Sequence, residues 1–273
     1  MRIPVDGVQF SVEQTGSGPP LMLLHGFTGS CDTWSTFVSS LGRHFQMIAV
    51  DLPGHGHSDT PADLQRFRME RAGRDLLALL DRLGMDRISL LGYSMGGRLA
   101  LHVALAAPAR IRALVLESAT PGIPDSADRA ARRKADEDLA MVLECEGLEP
   151  FVDRWERQSL FASQTRLPAA IRKQLRGQRL GNNPIGLAQS LRGAGAGVQE
   201  PLWEQLSAVY QPTLVITGAD DAKYRQIGRE MAEALPAASF VVIPNAGHAV
   251  HLEQPVAFER HVLQFLKEKN HCP

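Results

Sequence analysis

Ile88-Ser89-Leu90-Leu91-Gly92-Tyr93-Ser94-Met95-Gly96-Gly97-Arg98 decides how this chain folds. Residues 88–91 are a short apolar run, too short for a helix and suited to a strand buried on both faces. Residues 95–107 read as a helix that ends at Pro108. Between them lies G-x-S-x-G, a motif that says little by itself. With a strand before it and a helix after it, the motif describes a tight turn that lifts a serine hydroxyl above the end of a sheet. The competing reading is a glycine-rich turn with an incidental serine, and the rest of the chain decides between them.

Working outward, residues 21–24, 47–50 and 113–116 are similar apolar runs bounded by turn residues. Residues 32–41 can form a short helix. Residues 71–83 set Leu76, Leu79, Leu80 and Leu83 on one helix face, with Gly84 as the stop. From about 121 to 206 the alternation breaks into helical segments such as 128–144 and 168–178. It resumes with a strand at 213–216, a helix at 224–235, a strand at 240–243 and a helix at 256–267. The pattern predicts an α/β fold: a mostly parallel sheet flanked by helices, formed by residues 1–120 and 207–273. Residues 121–206 are then a helical insertion. Open parallel sheets bind ligands at the carboxyl ends of their strands, so the insertion is expected to cover the site as a lid.

A serine hydroxyl becomes a useful base or nucleophile only when an imidazole takes its proton and a carboxylate fixes that imidazole's tautomer. Such partners are expected after later strands, the acid first. Asp220 and Asp221 follow the strand at 213–216, and His248 follows the one at 240–243. A G-x-x-D spacing favours Asp221, with Asp220 as the alternative. Gly26 in His25-Gly26-Phe27 permits close backbone approach, so the amides of Phe27 and Met95 could form an oxyanion hole. His25 reads as tying down its turn, and His55 and His57 as structuring their loop. The last two lack a third ligand for a metal site. His102, His251 and His261 read as helix or surface residues.

This constellation resembles the α/β-hydrolase superfamily over essentially the whole chain, which implies a lid inserted after the sixth strand. Further motifs narrow the resemblance. They are His25-Gly26-Phe27-Thr28-Gly29, Asp51-Leu52-Pro53-Gly54-His55-Gly56 and Gly92 to Arg98 in the core. In the lid they are Arg129-Ala130-Ala131-Arg132-Arg133, Asp153-Arg154-Trp155-Glu156, Phe161-Ala162-Ser163 and Arg179-Leu180-Gly181-Asn182-Asn183. Together they resemble the 2-succinyl-6-hydroxy-2,4-cyclohexadiene-1-carboxylate synthase family of menaquinone biosynthesis. That resemblance implies a lyase eliminating pyruvate from a small tricarboxylate, with Ser94 acting as a base through His248. It implies substrate contacts from Arg98, Arg132, Arg179, Tyr93 and Trp155, and no metal or organic cofactor. Arg129 and Arg133 are adjacent candidates for the place of Arg132. Several guanidinium forks suit several carboxylates, whereas the alternative for a lid arginine is a solvated helix face. Two other readings keep the same fold: a serine esterase or carbon–carbon bond hydrolase, and a silent ligand receptor.

Composition bounds these readings. The chain has 273 residues, 29 basic against 30 acidic, so its formal net charge is −1. That balance argues against a general grip on nucleic acid, and the 44% hydrophobic content against disorder. Of the basic residues 24 are Arg and 5 are Lys, and 10 of the arginines fall in the insertion. Genome composition can produce the first imbalance but not the placement of Arg98 four residues beyond Ser94. Cys31, Cys145 and Cys272 fit neither a disulfide framework nor a zinc site. With no signal-like apolar core in residues 1–18 and no membrane-length apolar stretch, a cytoplasmic protein is expected.

Overall fold

The computed structural model describes residues 1–270, so Cys272 lies outside the described residues. Eight strands form one sheet: β1 (Arg2–Val5), β2 (Val8–Thr15), β3 (Pro20–Leu24), β4 (Gln46–Val50), β5 (Ile88–Tyr93), β6 (Ile111–Glu117), β7 (Thr213–Gly218) and β8 (Ala238–Ile243). Their order is β1-β2-β4-β3-β5-β6-β7-β8. The pairs β1–β2 and β2–β4 are antiparallel, and every other neighbouring pair is parallel.

The helices in chain order are α1 (Val38–Leu41), α2 (Met69–Arg82), α3 (Met95–Ala106), α4 (Ser126–Cys145), α5 (Leu148–Glu156), α6 (Ala169–Leu180), α7 (Pro184–Ala194), α8 (Ala222–Ala234), α9 (Val250–Glu253) and α10 (Pro255–Asn270). The expected helix at 32–41 is mostly a 3-10 segment, Cys31–Phe37, running into α1. No helix among the described residues is long and apolar enough to cross a membrane.

The apolar runs form central strands because both faces of the sheet are covered. Side chains alternate between faces along a strand. Met22 and Leu24 therefore join the core beside α2 and α3, while Leu21 and Leu23 join the core with Trp34, Phe258 and Val262. In α2, Leu76, Leu79 and Leu80 are buried with the first group. A third apolar cluster lies in the segment between β6 and β7. There Leu143, Phe151, Trp155, Phe161 and Leu187 pack together, with Phe27 of the core against them.

The chain passes from β3 to β4 on one side and later to β5 on the other. β3 and β5 thus flank the point where the strand order reverses, the usual place for a crevice. Ser94 follows β5 and His25-Gly26-Phe27 follows β3.

Candidate active site

Ser94 sits between β5 and α3 with φ 49° and ψ −103°. That backbone is strained for a residue with a side chain, and it persists because the surroundings impose it. A Cβ at Gly92 would lie 2.4 Å from the Gly96 carbonyl carbon, and one at Gly96 would lie 2.3 Å from the Leu24 carbonyl oxygen. Only glycine at both positions lets the turn close against β3. The Ser94 amide donates to the Glu117 carbonyl at 2.8 Å, fixing the turn to β6.

His248 follows β8, and its ring is buried. Its Nε2 lies 3.0 Å from Ser94 Oγ, and its Nδ1 lies 2.7 Å from Asp221 Oδ2. The other Asp221 oxygen accepts from the Tyr224 amide at 3.1 Å, so the carboxylate also caps α8. Asp220 points elsewhere and pairs with Arg166 of the segment between β6 and β7. Of the two aspartates, it is Asp221 that meets the imidazole. With Nδ1–H donating to Asp221, Nε2 is left to accept the Ser94 proton.

Phe27, Tyr93, Ser94, Met95, Arg98, Arg132, Trp155, Tyr224 and His248 line a cavity of about 660 Å³. Among the described residues, neither the Phe27 nor the Met95 amide donates to a protein acceptor. Arg98 is buried, with Nη1 donating to Gln199 Oε1 at 2.9 Å. Gln199 is itself held by the Pro121 carbonyl at 3.1 Å. Burial and the nearby Arg132 charge lower the Arg98 pKa to about 10, which leaves it a cation at neutral pH.

Arg132 comes from α4, and its Nε donates to Asp136 at 2.8 Å. Burial works against the Arg132 charge, Asp136 outweighs it, and the pKa ends above the ordinary value. Asp136 is buried, and desolvation holds its carboxyl above the usual range despite both arginines. Two cations thus share one paired carboxylate beside Ser94, an excess that favours an anionic ligand. The neighbouring candidates are committed elsewhere. Arg129 donates to the Ile123 and Pro124 carbonyls, and Arg133 to the Gly197 carbonyl.

Arg179 is also buried but lines an adjoining chamber of about 750 Å³ with Thr28, Thr33, Gln178 and His251. Phe27, Tyr93, Trp155 and Phe161 line both spaces. The Arg179 guanidinium donates to Glu156 at 2.8 Å and Gln164 at 3.2 Å, and lies 5.3 Å from the centre of the Phe161 ring. The structure therefore groups Arg98 and Arg132 with Ser94 and sets Arg179 apart from them.

The remaining histidines separate by burial. His25 Nδ1 donates to the Gly26 carbonyl at 2.8 Å and Nε2 accepts from the Leu52 amide at 3.0 Å, which ties down the turn after β3. Buried His55 donates to the Pro53 carbonyl, while the His57 side chain is 90% exposed. His251 lies in α9 but is buried against Glu117, which makes it no surface residue. Sequence reasoning missed Gln199, Tyr224, Asp136 and Glu117. The signals available were an aspartate one turn beyond Arg132 and a carboxylate directly after the apolar run 113–116.

A family model for the α/β hydrolase fold matches residues 19–255. A Bacillus subtilis (strain 168) protein, provisionally named a 2-succinyl-6-hydroxy-2,4-cyclohexadiene-1-carboxylate synthase, is 42% identical over 96% of this chain and 96% of its own. The synthase of that name from Serratia proteamaculans (strain 568) is 32% identical over 91% of this chain and 93% of its own. The solved structure of MenH from S. aureus superposes with a TM-score of 0.91 at 35% identity, covering 96% of this chain and 99% of that one.

Proposed function

The chain belongs to the α/β hydrolase fold family and, within it, to the 2-succinyl-6-hydroxy-2,4-cyclohexadiene-1-carboxylate synthases; on that premise we propose that it is a carbon–oxygen lyase of menaquinone biosynthesis. Its substrate is 2-succinyl-5-enolpyruvyl-6-hydroxy-3-cyclohexene-1-carboxylate, and its products are the 2,4-diene and pyruvate. The observation that carries this reading is the placement of Arg98 and Arg132 in the same cavity as Ser94 and His248. A simple ester gives the buried Arg98 cation and the half-buried Arg132 cation nothing to do. A ligand with several carboxylates gives each guanidinium a fork to bind.

The chemistry follows from the two ring structures. The proton at ring carbon 2 lies alpha to the succinyl ketone, so its removal places charge on the ketone oxygen. Ser94 takes that proton as His248 takes the serine's, and Asp221 stabilises the resulting imidazolium. The amides of Phe27 and Met95 are free to stabilise the ketone oxygen, and one such donor is typically worth about 3–4 kcal/mol. The electron pair then makes the bond between carbons 2 and 3 double, and the former 3,4 double bond moves to carbons 4 and 5. The bond from carbon 5 to the enolpyruvyl oxygen breaks. Pyruvate leaves as its enolate and regains a proton, so the reaction consumes no water.

Trp155 and Tyr93 supply flat walls to the ring's cavity, and Arg179 approaches from the adjoining chamber. The test is to follow pyruvate release from the enolpyruvyl substrate beside hydrolysis of simple esters. Pyruvate release that depends on Ser94 and Arg98 supports the lyase. Ester turnover alone, dependent on Ser94 but indifferent to Arg98→Met, supports the esterase.

A further inference from the structure

Glu117 ends β6 directly after the apolar run 113–116, and its side chain is wholly buried. A carboxylate in that position is costly unless its oxygens are paired. The partner is His251, whose main-chain amide donates to Oε1 at 2.9 Å and whose Nδ1 lies 2.8 Å from the same oxygen. The main-chain carbonyl of Glu117 accepts the Ser94 amide at 2.8 Å. One residue therefore grips the serine through its backbone and the segment carrying His248 through its side chain. His251 stands three residues beyond His248, and the Tyr93 ring packs against both imidazoles, at 4.7 Å from His251 and 5.5 Å from His248. His251 is wedged on its other side by Trp34 at 5.3 Å.

From this we infer that Glu117 is a positioning residue: its carboxylate, through His251, sets the distance between Ser94 Oγ and His248 Nε2. The hydrogen bond from Ser94 survives any change of the Glu117 side chain because it uses the backbone. The tie to His251 is lost with the side-chain oxygens. Losing it frees the loop bearing His248 to shift against a serine that stays fixed. A misplacement of about 1 Å between reacting groups can cost about a hundredfold in rate.

The inference rests on the proposed function in taking the Ser94–His248 pair as the reacting one, and its test separates the two. Glu117→Gln keeps the side chain's shape and one acceptor, Glu117→Leu removes both oxygens, and His251→Phe keeps the ring packing while removing Nδ1. Each variant of the full chain is assayed for pyruvate release at a temperature where its circular dichroism shows it folded, and its crystal structure is solved. For Glu117→Leu the expected result is a fall in kcat of about 10- to 100-fold with KM within about twofold, with Ser94 Oγ and His248 Nε2 beyond hydrogen-bond distance. The fall is smaller for Glu117→Gln, whose remaining Oε1 can still accept from His251. The double variant Glu117→Leu/His251→Phe is expected to be no worse than Glu117→Leu, since both act on one tie. A folded Glu117→Leu that keeps the Ser94–His248 contact at 3.0 Å, or keeps kcat unchanged, overturns the inference. A lower melting temperature with unchanged kcat also overturns it, because packing alone would produce that. If the unaltered protein releases no pyruvate, the lyase reading fails, and the Ser94–His248 distance in the variants still decides the role of Glu117.

Discussion

Arg98 of α3 and Arg132 of α4 bring two like charges to one cavity, and the proximity of Arg132 adds to burial in lowering the Arg98 pKa. The pair holds together in the protein alone through Gln199 on one side and Asp136 on the other. Neither partner cancels both charges, an excess that favours an anionic ligand. The two guanidiniums repel each other across the cavity, an electrostatic tension in the free protein that an anion would relieve.

That tension gives Arg98→Met two opposite effects. Losing a charge-assisted hydrogen bond costs about 1.5–3 kcal/mol of binding, so kcat/KM for the enolpyruvyl substrate is expected to fall at least about tenfold. Removing the buried one of two like charges relieves the free protein, so the thermal midpoint is expected to hold or rise. Steady-state kinetics and a thermal melt check both arms. A variant that loses stability with an unchanged KM would contradict the assignment.

The carboxylates at 220 and 221 differ in what they touch. Asp221→Asn removes the acceptor that orients His248, and kcat is expected to drop by about 10²–10⁴-fold. Asp220→Asn breaks only an exposed pair with Arg166, and kcat is expected to stay within about twofold. Comparing the two kcat values settles the assignment, and equal losses would refute it.

Acid stability follows from buried imidazoles. Burial pushes His55 down to about 3 and His102 to about 4, from the ordinary value of 6.5. Below that ordinary value the unfolded chain binds protons that the folded one refuses, so stability rises with pH through this window. It is complete above about pH 6.5 and is lost progressively as pH falls towards the folded values. Urea midpoints measured from pH 7 down to pH 4 are expected to decline less steeply for His55→Phe, by up to about one proton of linkage. Identical slopes would contradict this account.

Arg179 is neutralised by Glu156, unlike the arginine pair. Glu156→Leu would leave a buried cation unmatched and is expected to destabilise the protein by about 1–3 kcal/mol. Arg179→Met is expected to raise KM less than Arg98→Met does. A larger KM effect at Arg179 would mean that the guanidinium leaves Glu156 to hold substrate.

The central strands were legible because burial on both faces turns them into unbroken apolar runs, and glycines and prolines mark their ends. β1 and β2 were passed over because only alternate residues, such as Val8, Phe10 and Val12, are buried. α5 and α7 were not resolved within the insertion as helices of their own. Ser94, Asp221 and His248 could be located because each follows a strand. Choosing Arg132 over Arg129 and Arg133 required the phase of α4 and its neighbours. The separation of Arg179 behind Phe161 and the Glu117–His251 tie are contacts between distant segments, and local sequence carries no periodicity that reports them.

In the proposed reaction this triad and arginine pair perform an elimination. The most direct measurement gives the purified protein the enolpyruvyl substrate and follows pyruvate and the conjugated diene together. Equal amounts of both are expected, formed far above the uncatalysed rate and lost in Ser94→Ala. No pyruvate above that background, with simple esters still hydrolysed through Ser94, would contradict it.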